Sequence, residues 1–232
     1  MVNLQPDWPV PHQVKALFTT REGGVSAPPY DSLNLAHHVG DGPASVNLNR
    51  ALIALPDAPH YLVQVHSNRC VCVDELTAPV EADASFTETP GSVLAIMVAD
   101  CLPVFFTSRQ GNVVGIAHAG WRGLASGVLR ETVARLTGDE FLAWMGPAIG
   151  PCHYEVGDDV RDQFSFPLGF TRNDNGRWQM DLYAIARDQL ENLGVEVFGG
   201  GYCTYCDEAR FFSYRRDGVT GRMGGFIWIA NN

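Results

Sequence analysis

The sequence predicts an α+β fold in which residues 1–232 form a single domain. Short apolar runs, partly β-branched and closed by turn formers, predict several buried strands. Segments with apolar residues at helical spacing predict helices between them. Turn-forming residues at 108–112 separate two central strands and predict an antiparallel hairpin. We find no repeat, low-complexity tract or linker that would mark a domain boundary.

The predicted strands are short and cover residues 15–20, 61–66, 70–74, 93–99, 113–117, 141–145, 195–198 and 226–229. A strand that resumes at Pro103 would place Cys101 at a bend rather than at the end of a strand. If the strands at 93–99 and 113–117 are antiparallel neighbours, as the turn formers between them indicate, Cys101 and His118 need not lie at the same end of a sheet. Residues 79–90 are predicted to be a loop, and residues 211–216 to lead into a turn at 217–218.

The predicted helices are amphipathic segments between these strands. They cover residues 43–55, with Ser45 as the N-cap, residues 123–136, a short segment around residues 156–164, and residues 181–193. The last is the clearest, because Asp181 can accept the free amide hydrogens of the first turn. Residues 1–14 are rich in proline and are expected to form an N-terminal arm on the surface.

Composition and charge exclude several classes of protein. The chain is 46% hydrophobic and 18% charged, which is ordinary for a globular domain. A net charge of −10 disfavours a nucleic-acid partner, because such binding depends on a basic surface. No apolar run approaches the roughly 18 residues of a membrane span, and the N-terminus lacks the features of a signal peptide. We therefore expect a cytoplasmic protein, without a membrane partner, whose six cysteines are reduced.

Three distant residues offer the chemistry of a metal site. His66 and His118 follow predicted strands, and Cys101 follows a third. Three nitrogen and sulfur ligands leave the fourth position of tetrahedral zinc open, which is the pattern of a catalytic site and can activate a water molecule. From spacing alone, two alternatives stay open. The residues could be buried core side chains, or Cys101 could be the thiolate nucleophile of a hydrolase with His118 as its base.

Further polar residues near these segments could assist the chemistry. Asp100 could transfer protons, or it could orient His66 or His118. The planar guanidinium of arginine suits phosphate, although a solvated charged face is the usual role of such residues. The candidate anion binders are Arg21, Arg122, Arg215, Arg216 and Arg222.

A second cysteine motif, Cys203-Thr-Tyr-Cys206, is a weak signal by itself. A structural zinc site needs a second pair of ligands, and Cys70 and Cys72 have the wrong spacing for one. A redox motif of this kind normally opens a helix, whereas this one precedes an acidic and aromatic stretch. The sequence therefore predicts no metal at this motif.

Six motifs together resemble one bacterial family over most of the chain, from about residue 16 to residue 229. That family has long been labelled polyphenol oxidase or laccase-domain, is now described as purine nucleoside phosphorylase-like, and includes proteins called peptidoglycan editing factors. The motifs are TREGGVS (20–26), QVHS (64–67), ADCLP (99–103), HAGWRG (118–123), GPAIGPC (146–152) and FSYRRD (212–217). Cys206 departs from the family pattern.

The resemblance implies a layered α/β/β/α sandwich with mixed sheets. It implies that His66, Cys101 and His118 bind a metal. The implied reactions are phosphorolysis of adenosine, inosine and methylthioadenosine to free base and ribose 1-phosphate, and deamination of adenosine. Phenol oxidation with copper and editing of a cell-wall precursor are also described for the family.

Physical arguments then favour zinc, although copper remains possible. Multicopper chemistry needs many more histidines than the seven present, and Met97 is the nearest axial candidate for a blue-copper site. Attack of an activated water on the purine accounts for deamination. For phosphorolysis we predict that Arg21, Arg122 and Arg215 bind phosphate and that Asp100, Cys101 and His118 act in catalysis. The expected partners are small molecules, a nucleoside and phosphate, bound by a monomer or weak oligomer.

Two rival functions stay open beside this hypothesis. One is a metal-free Cys-His hydrolase that edits a cell-wall peptide precursor. The other is a binding protein whose zinc site no longer supports turnover.

Overall fold

A computed structural model describes residues 3–231 of the chain. It contains many short strands and few helices. The strands are β1 (Asn3–Leu4), β2 (Val14–Thr19), β3 (His60–Tyr61), β4 (Cys70–Cys72), β5 (Ala84–Thr87), β6 (Leu94–Val98), β7 (Leu102–Ser108), β8 (Val114–Ala119), β9 (Phe141–Met145), β10 (Glu155–Val156), β11 (Phe170–Arg172), β12 (Trp178–Met180), β13 (Glu196–Gly199) and β14 (Met223–Ile229). The α-helices are α1 (Pro43–Ala51), α2 (Trp121–Ser126), α3 (Val128–Val133), α4 (Asp158–Arg161), α5 (Leu182–Glu191) and α6 (Tyr214–Asp217), and 3-10 turns cover His37–Val39 and Val73–Glu75.

The strands form two large sheets and one small one. The five-stranded sheet has the order β1-β2-β14-β6-β3, and the six-stranded sheet has the order β13-β9-β7-β8-β5-β4. Most neighbours are antiparallel, but β3 is parallel to β6, β13 to β9, and β4 to β5. Both large sheets are therefore mixed, as the family resemblance implied.

The two large sheets pack face to face and are covered by helices and loops. Phe18 and Ile96 of the five-stranded sheet share a buried cluster with Phe105 and Ile116 of the six-stranded sheet. Helices α2, α3 and α5 pack against the other face of the six-stranded sheet. Buried residues from the segment 33–55 cover the five-stranded sheet. The α/β/β/α layering is thus confirmed, and central strands buried on both faces explain the continuous apolar runs in the sequence.

Several predicted elements are confirmed with shifted ends, and two predicted details are wrong. Helix α5 begins after Asp181, whose Oδ1 accepts a hydrogen bond of 3.0 Å from the backbone N–H of Ala184. Helix α1 is capped by Gly42 with Pro43 in its first turn, and not by Ser45. The single helix predicted for 123–136 is two short helices, because Gly127 adopts a left-handed conformation with φ of 87° between them.

The hairpin of the six-stranded sheet brings Cys101 towards His118. Strands β7 and β8 are antiparallel, with Pro103 opposite His118. Strand β6 belongs to the other sheet, so the chain crosses from one sheet to the other at residues 99–101. Cys101 lies at a bend, but this bend is the crossing between two sheets and not a bend within one long strand. The predicted antiparallel pairing of the strands at 93–99 and 113–117 is wrong, because β8 pairs with β7 and β5 instead. The start of β7 pairs with the end of β8, so this position still lies beside His118.

The chain differs from the sequence prediction in three places near this bend. The strand predicted for 61–66 ends at Tyr61, apart from one bridge at Val63. The loop predicted for 79–90 contains β5, and the segment predicted for 211–216 enters helix α6, where Ser213 Oγ accepts a hydrogen bond of 3.2 Å from the Arg216 N–H. These differences arise from contacts between distant segments rather than from local pattern.

The N-terminal arm is partly built into the fold. Strand β1 pairs with β2, and the side chains of Trp8 and Val10 pack against the shared cluster. Residues 1 and 2 of the predicted arm lie outside the described residues. Across residues 3–231, no helix combines the length and apolar character that crossing a bilayer requires.

Candidate metal and catalytic site

Three predicted ligands converge where the two sheets meet. One ligand atom from each of His66, Cys101 and His118 lies within 4.8 Å of the others. Cys101 Sγ lies 3.8 Å from His66 Nε2, and the two imidazole rings have their centroids 4.8 Å apart. His118 is supplied by the end of β8, Cys101 by the crossing between sheets, and His66 by the turn after β3. The convergence that the sequence predicted is therefore present.

Asp83 organises this cluster, although no sequence pattern had indicated a role for it. Its Oδ1 lies 2.8 Å from His118 Nδ1 and accepts a 3.0 Å hydrogen bond from the His66 N–H. Its Oδ2 accepts hydrogen bonds from the N–H groups of Val65 (3.2 Å) and Ser67 (2.6 Å) and from the Ser67 hydroxyl (2.8 Å). One buried carboxylate thus fixes both histidine segments. A carboxylate on one ring nitrogen leaves the other nitrogen, Nε2 of His118, for a ligand.

The backbone near His66 is shaped by the same carboxylate. Its N–H acceptor in this turn is Asp83 rather than a neighbouring strand, which explains why the predicted strand stops early. His66 adopts a φ of 61°, an uncommon value for a residue with a side chain. Strained backbone of this kind persists only where surrounding contacts determine it, and it clusters at functional sites.

The three titratable groups polarise one another. Burial raises the pKa of the Cys101 thiol, but the charge and hydrogen bonds of His118, with a contribution from His66, outweigh it and lower the pKa to about 6. Burial lowers the pKa of His118, but Cys101 and Asp83 outweigh it and raise the pKa to about 9. Burial opposes ionisation of Asp83 as well, yet hydrogen bonds from His118 and Ser67 bring its pKa down to about 2. Without a metal, the site therefore holds a thiolate beside an imidazolium at neutral pH.

A cavity of 350 Å³ opens beside the cluster. Its walls combine the three candidate ligands with polar, apolar and aromatic side chains. The lining residues are His38, Gln64, His66, Met97, Val98, Ala99, Cys101, His118, Tyr214 and Arg222. This cavity could hold a small molecule against the cluster.

His38 and Gln64 line the cavity but carried no separate functional prediction, and their positions depend on other segments. His38 lies in a 3-10 turn before α1, and its pKa is lowered by burial and by the charge of Arg222. The Gln64 amide exchanges two hydrogen bonds with the backbone of Met97, at 2.9 and 2.8 Å. Gln64 lies within the QVHS motif, which is the one signal that could have drawn attention to it.

Gly120 leaves the space that the cluster occupies. A Cβ atom at this position would lie 2.9 Å from Cys101 Sγ and 3.1 Å from Cδ2 of His66. The φ of Gly120 is −68°, so the backbone conformation is available to any residue. Glycine is needed here because of the close approach of the ligands and not because of backbone strain.

The residues fit a tetrahedral zinc ion. At usual bond lengths, a sulfur and a nitrogen ligand of zinc lie about 3.5 Å apart, and the separation of Cys101 Sγ and His66 Nε2 is 3.8 Å. The Cys101 thiol is readily deprotonated, and Asp83 holds Nδ1 of His118, which are the features that zinc ligands need. The chemistry of the donor set therefore supports a metal at this place.

Asp100 contacts other groups than the histidines. Its Oδ1 accepts a 2.6 Å hydrogen bond from the Thr204 hydroxyl, and its Oδ2 accepts a 2.6 Å bond from the Arg215 N–H. The alternative that Asp100 orients His118 is wrong, because Asp83 does so. Asp100 has a φ of 86° at the crossing between sheets. Because hydrogen bonds from Thr204 and Arg215 anchor its carboxylate, Asp100 also fixes the position of its neighbour Cys101. Proton transfer by Asp100 stays a prediction.

Arg21 lies in a different environment from the cluster. Its guanidinium donates to the backbone oxygens of Asp31 and Glu208, forms a 3.4 Å ion pair with Asp31, and lies over the ring of Phe212. It lines a separate cavity with acidic neighbours, among them Glu22. The prediction that Arg21 binds phosphate beside the metal is therefore not supported by its position.

Arg122 and Arg215 lie closer to the cluster. Burial raises the pKa of the Tyr154 phenol, the charges of Cys101 and Asp100 add to this rise, and Arg215 and Arg122 oppose it. The Arg215 guanidinium also lies 5.0 Å from the centre of the Tyr154 ring. Neither arginine is among the residues that line the cavity.

The arginine that does line the cavity is Arg222. It was named with the candidate anion binders but was not among those predicted to hold phosphate. Its guanidinium donates to the carbonyl oxygens of Thr220 and Gly221 and lies 5.7 Å from the centre of the Tyr214 ring. Its charge therefore reaches the cavity that contains the cluster.

The fold and this geometry define a class: an α/β/β/α protein with a candidate His₂Cys metal centre beside a cavity. The chain belongs to the family described as multi-copper polyphenol oxidoreductase laccase, whose model matches residues 15–230.

Named relatives and solved structures resemble the chain over almost its full length. It is 48% identical to a protein of Escherichia coli K12 named purine nucleoside phosphorylase YfiH, over 97% of this chain and 98% of that protein. It is also 48% identical to purine nucleoside phosphorylase PA4543 of Pseudomonas aeruginosa, over 98% of each. A crystal structure of Neisseria meningitidis protein NMB0706 matches with a TM-score of 0.94 and 47% identity, covering 99% of each chain.

Proposed function

We propose that this protein is a cytoplasmic, zinc-dependent enzyme that cleaves purine nucleosides with phosphate. The observation that carries the proposal is the cluster of His66, Cys101 and His118 beside a cavity that also contains Arg222. The names of the relatives at 48% identity support the same reaction class. The proposed substrates are adenosine, inosine and methylthioadenosine, and the products are free base and ribose 1-phosphate.

The reaction replaces one bond at the ribose with another. A phosphate oxygen bonds to C1′ while the bond from C1′ to the purine nitrogen breaks, and the departing base takes up a proton. We assign phosphate binding to Arg222 in the cavity, assisted by Arg215 and Arg122 near Tyr154. Tyr214, which is exposed at the cavity, offers a ring face to the purine.

The metal and the residues around it have separate tasks in this proposal. When bound, zinc supplies positive charge and an open coordination position for a substrate oxygen or for water. Asp83 holds the His118 ring and the turn of His66 in place. Burial and the charge of Arg222 lower the pKa of His38, which favours its neutral imidazole, and we assign to this ring a hydrogen bond or a proton transfer with the purine.

Deamination of adenosine is the second reaction that we propose for the same site. Water bonds to the purine carbon that carries the amino group, the bond from that carbon to the amino nitrogen breaks, and ammonia leaves, as in the zinc-dependent nucleobase deaminases. Deamination of adenosine yields inosine without phosphate, whereas phosphorolysis yields adenine only with phosphate. The two reactions can therefore be separated by product analysis with and without phosphate.

We propose zinc rather than copper as the native metal. Within the described residues, only two groups bring three or more potential ligands together, and each contains at most two histidines. Multicopper oxidation depends on several histidine-rich copper sites. The Met97 sulfur lines the cavity but also contacts Arg50 Nη2 at 3.7 Å. Copper phenol oxidation is therefore the less favoured reading of this site.

One observation favours a second candidate function. Cys101, His118 and Asp83 form a chain of nucleophile, base and orienting carboxylate when no metal is bound. That arrangement suits a hydrolase acting on a peptide or amide bond, such as one in a cell-wall precursor. Removal of the metal should abolish phosphorolysis but leave such a hydrolase active.

The deciding experiment measures metal and products together. The purified protein is incubated with adenosine with and without phosphate, before and after removal of metal by a chelator. We expect adenine and ribose 1-phosphate only with phosphate and metal, and we expect Cys101→Ala to lose both activity and one equivalent of zinc. Cys72→Ser, which changes a thiol outside both ligand groups, is the matched control. The proposal would be rejected if adenine is released equally with and without phosphate, or if phosphorolysis continues after the chelator has removed the metal.

A further inference from the structure

A second group of metal-ligating side chains lies outside the site described above. Cys152 and His153 come from the turn after the 146–151 loop, and Cys203 and Cys206 come from the loop after β13. One ligand atom from each lies within 4.8 Å of the others. No second pair of ligands for Cys203 and Cys206 was evident in the sequence, because Cys152 and His153 lie some fifty positions earlier in the chain.

The distances within the group match tetrahedral coordination. Cys152 Sγ lies 3.6 Å from Cys203 Sγ and 3.5 Å from Cys206 Sγ, and Cys206 Sγ lies 3.3 Å from His153 Nδ1. Around zinc at usual bond lengths, two sulfurs lie about 3.8 Å apart and a sulfur and a nitrogen about 3.5 Å apart. Each of these three separations is within a few tenths of an ångström of the expected value.

The backbone and an aromatic ring hold the ligands in this arrangement. The Gly150 N–H donates to Cys203 Sγ at 3.2 Å, so the sulfur has a donor suited to a thiolate. The His153 ring stacks on Tyr205 with centroids 4.0 Å apart and an interplanar angle of 11°. A stacked ring has a fixed plane, which aims Nδ1 at the sulfurs.

We propose that Cys152, His153, Cys203 and Cys206 form a second metal site that binds zinc through three thiolates and one imidazole. Four protein ligands fill a tetrahedral ion, so this site is structural, unlike the three-ligand centre at His66. Three sulfurs select zinc over hard cations such as magnesium or calcium.

A disulfide accounts for less of the geometry. It would join two of the three thiols and would leave the third thiol and the imidazole close together without a purpose. None of the sulfur pairs is at bonding distance, and all six cysteines are free thiols. A metal uses all four side chains at once.

The second site would brace the first through Thr204. This residue lies between Cys203 and Cys206, and its hydroxyl donates the 2.6 Å hydrogen bond to Asp100 that was described above. Its N–H donates to Ala148 O at 3.0 Å, and its carbonyl accepts from Arg216. An ion that ties the 152–153 turn to the 203–206 loop therefore fixes the group that holds Asp100, next to the candidate ligand Cys101.

The first test counts metal ions and separates the two sites. Protein is prepared under reducing conditions with zinc, and bound metal is measured after desalting. We expect two zinc ions per chain in the unchanged protein, one in Cys206→Ser, one in Cys101→Ala and none in the double variant. Cys72→Ser is the matched control and should keep both. If Cys206→Ser binds as much zinc as the wild-type protein, the proposal of a second site is wrong, whatever the result for Cys101→Ala.

The second test needs no substitution, so it does not depend on a variant that folds. Native protein is treated with iodoacetamide with and without a zinc chelator, and the labelled peptides are identified by mass. Cys152 and Cys206 are exposed, so only a ligand should protect them. We expect Cys152, Cys203 and Cys206 to be protected until the chelator is added. Labelling without the chelator, or recovery of the peptides joined by a disulfide, would overturn the proposal.

Discussion

The carboxylate of Asp83 should control both the metal affinity and the stability of the first site. It accepts hydrogen bonds from four groups of the segment 65–67, and it contacts the ring of His118. In Asp83→Asn one carboxylate oxygen is replaced by an NH₂ group, which cannot accept a hydrogen bond. The N–H or O–H groups that donate to that oxygen therefore lose their acceptor. Each buried donor left without a partner costs about 1–3 kcal/mol.

The pKa of Asp83 gives an independent magnitude. Folding lowers this pKa from 3.8 to about 2, and each unit of pKa is worth about 1.4 kcal/mol, which amounts to about 2–3 kcal/mol. Because the folded value is the lower one, this stabilisation is fully present above the unfolded pKa and is lost as the pH falls through the folded pKa. At pH 7 the carboxylate therefore contributes its full effect, and Asp83→Asn removes it.

The assay combines urea unfolding with competition for zinc. At pH 7 we expect Asp83→Asn to lower the free energy of unfolding by about 2–3 kcal/mol. We expect it to weaken zinc binding roughly 10–100-fold, the usual effect of removing a carboxylate that orients a histidine ligand. The stability difference should shrink below pH 4, where the wild-type carboxylate begins to lose its advantage.

The matched control for this experiment is Asp74→Asn. The Asp74 carboxylate also accepts hydrogen bonds from a nearby hydroxyl and N–H, those of Thr87 and Glu88, but it contacts neither histidine. It should leave zinc affinity unchanged. If Asp83→Asn binds zinc as tightly as Asp74→Asn does, the assignment of Asp83 as the orienting carboxylate is wrong.

Three further predictions test the same site. Gly120→Ala should displace Cys101 or the other ligands and lower zinc occupancy. Gly42→Ala, at another helix N-cap where the nearest atom to the new Cβ would be Ser45 Oγ at 3.8 Å, should not; equal occupancy of the two variants in a metal assay would contradict this. In metal-depleted protein, the rate of Cys101 alkylation should rise with pH with a midpoint near pH 6, because its thiol ionises there. A midpoint at about pH 8.5, the pKa of a free thiol, would refute the ion pair between Cys101 and His118. Arg222→Ala should raise KM for phosphate roughly 10-fold or more through loss of a charged hydrogen-bond donor, whereas Arg21→Ala should leave it unchanged; steady-state kinetics decide between them.

Much of the architecture could be predicted from local pattern. The run at 94–98 is apolar on both faces because both faces are buried, and turn formers at 108–112 join antiparallel neighbours. Asp181 caps α5 through a contact three residues away. Such features depend on interactions between residues close in sequence, so they can be predicted from the local sequence pattern.

The candidate metal ligands were identified by a combination of chemistry and resemblance. Residue types and strand ends suggested His66, Cys101 and His118 but left two alternatives open. The family motifs raised the metal hypothesis above them. The convergence of the three side chains is a property of the fold, because they are supplied by both sheets and by the crossing between them.

The sequence alone predicted most of the buried strands and helices, and it singled out His66, Cys101 and His118 as candidate metal ligands, because residue type and short-range spacing carry that information. Only the tertiary structure decided that Asp83 holds the histidines, that Arg222 rather than Arg21 faces the cavity, and that Cys152 and His153 meet Cys203 and Cys206. Each of these contacts joins residues that are far apart in the chain. Their positions depend on how the sheets and loops pack, and no local pattern records that packing.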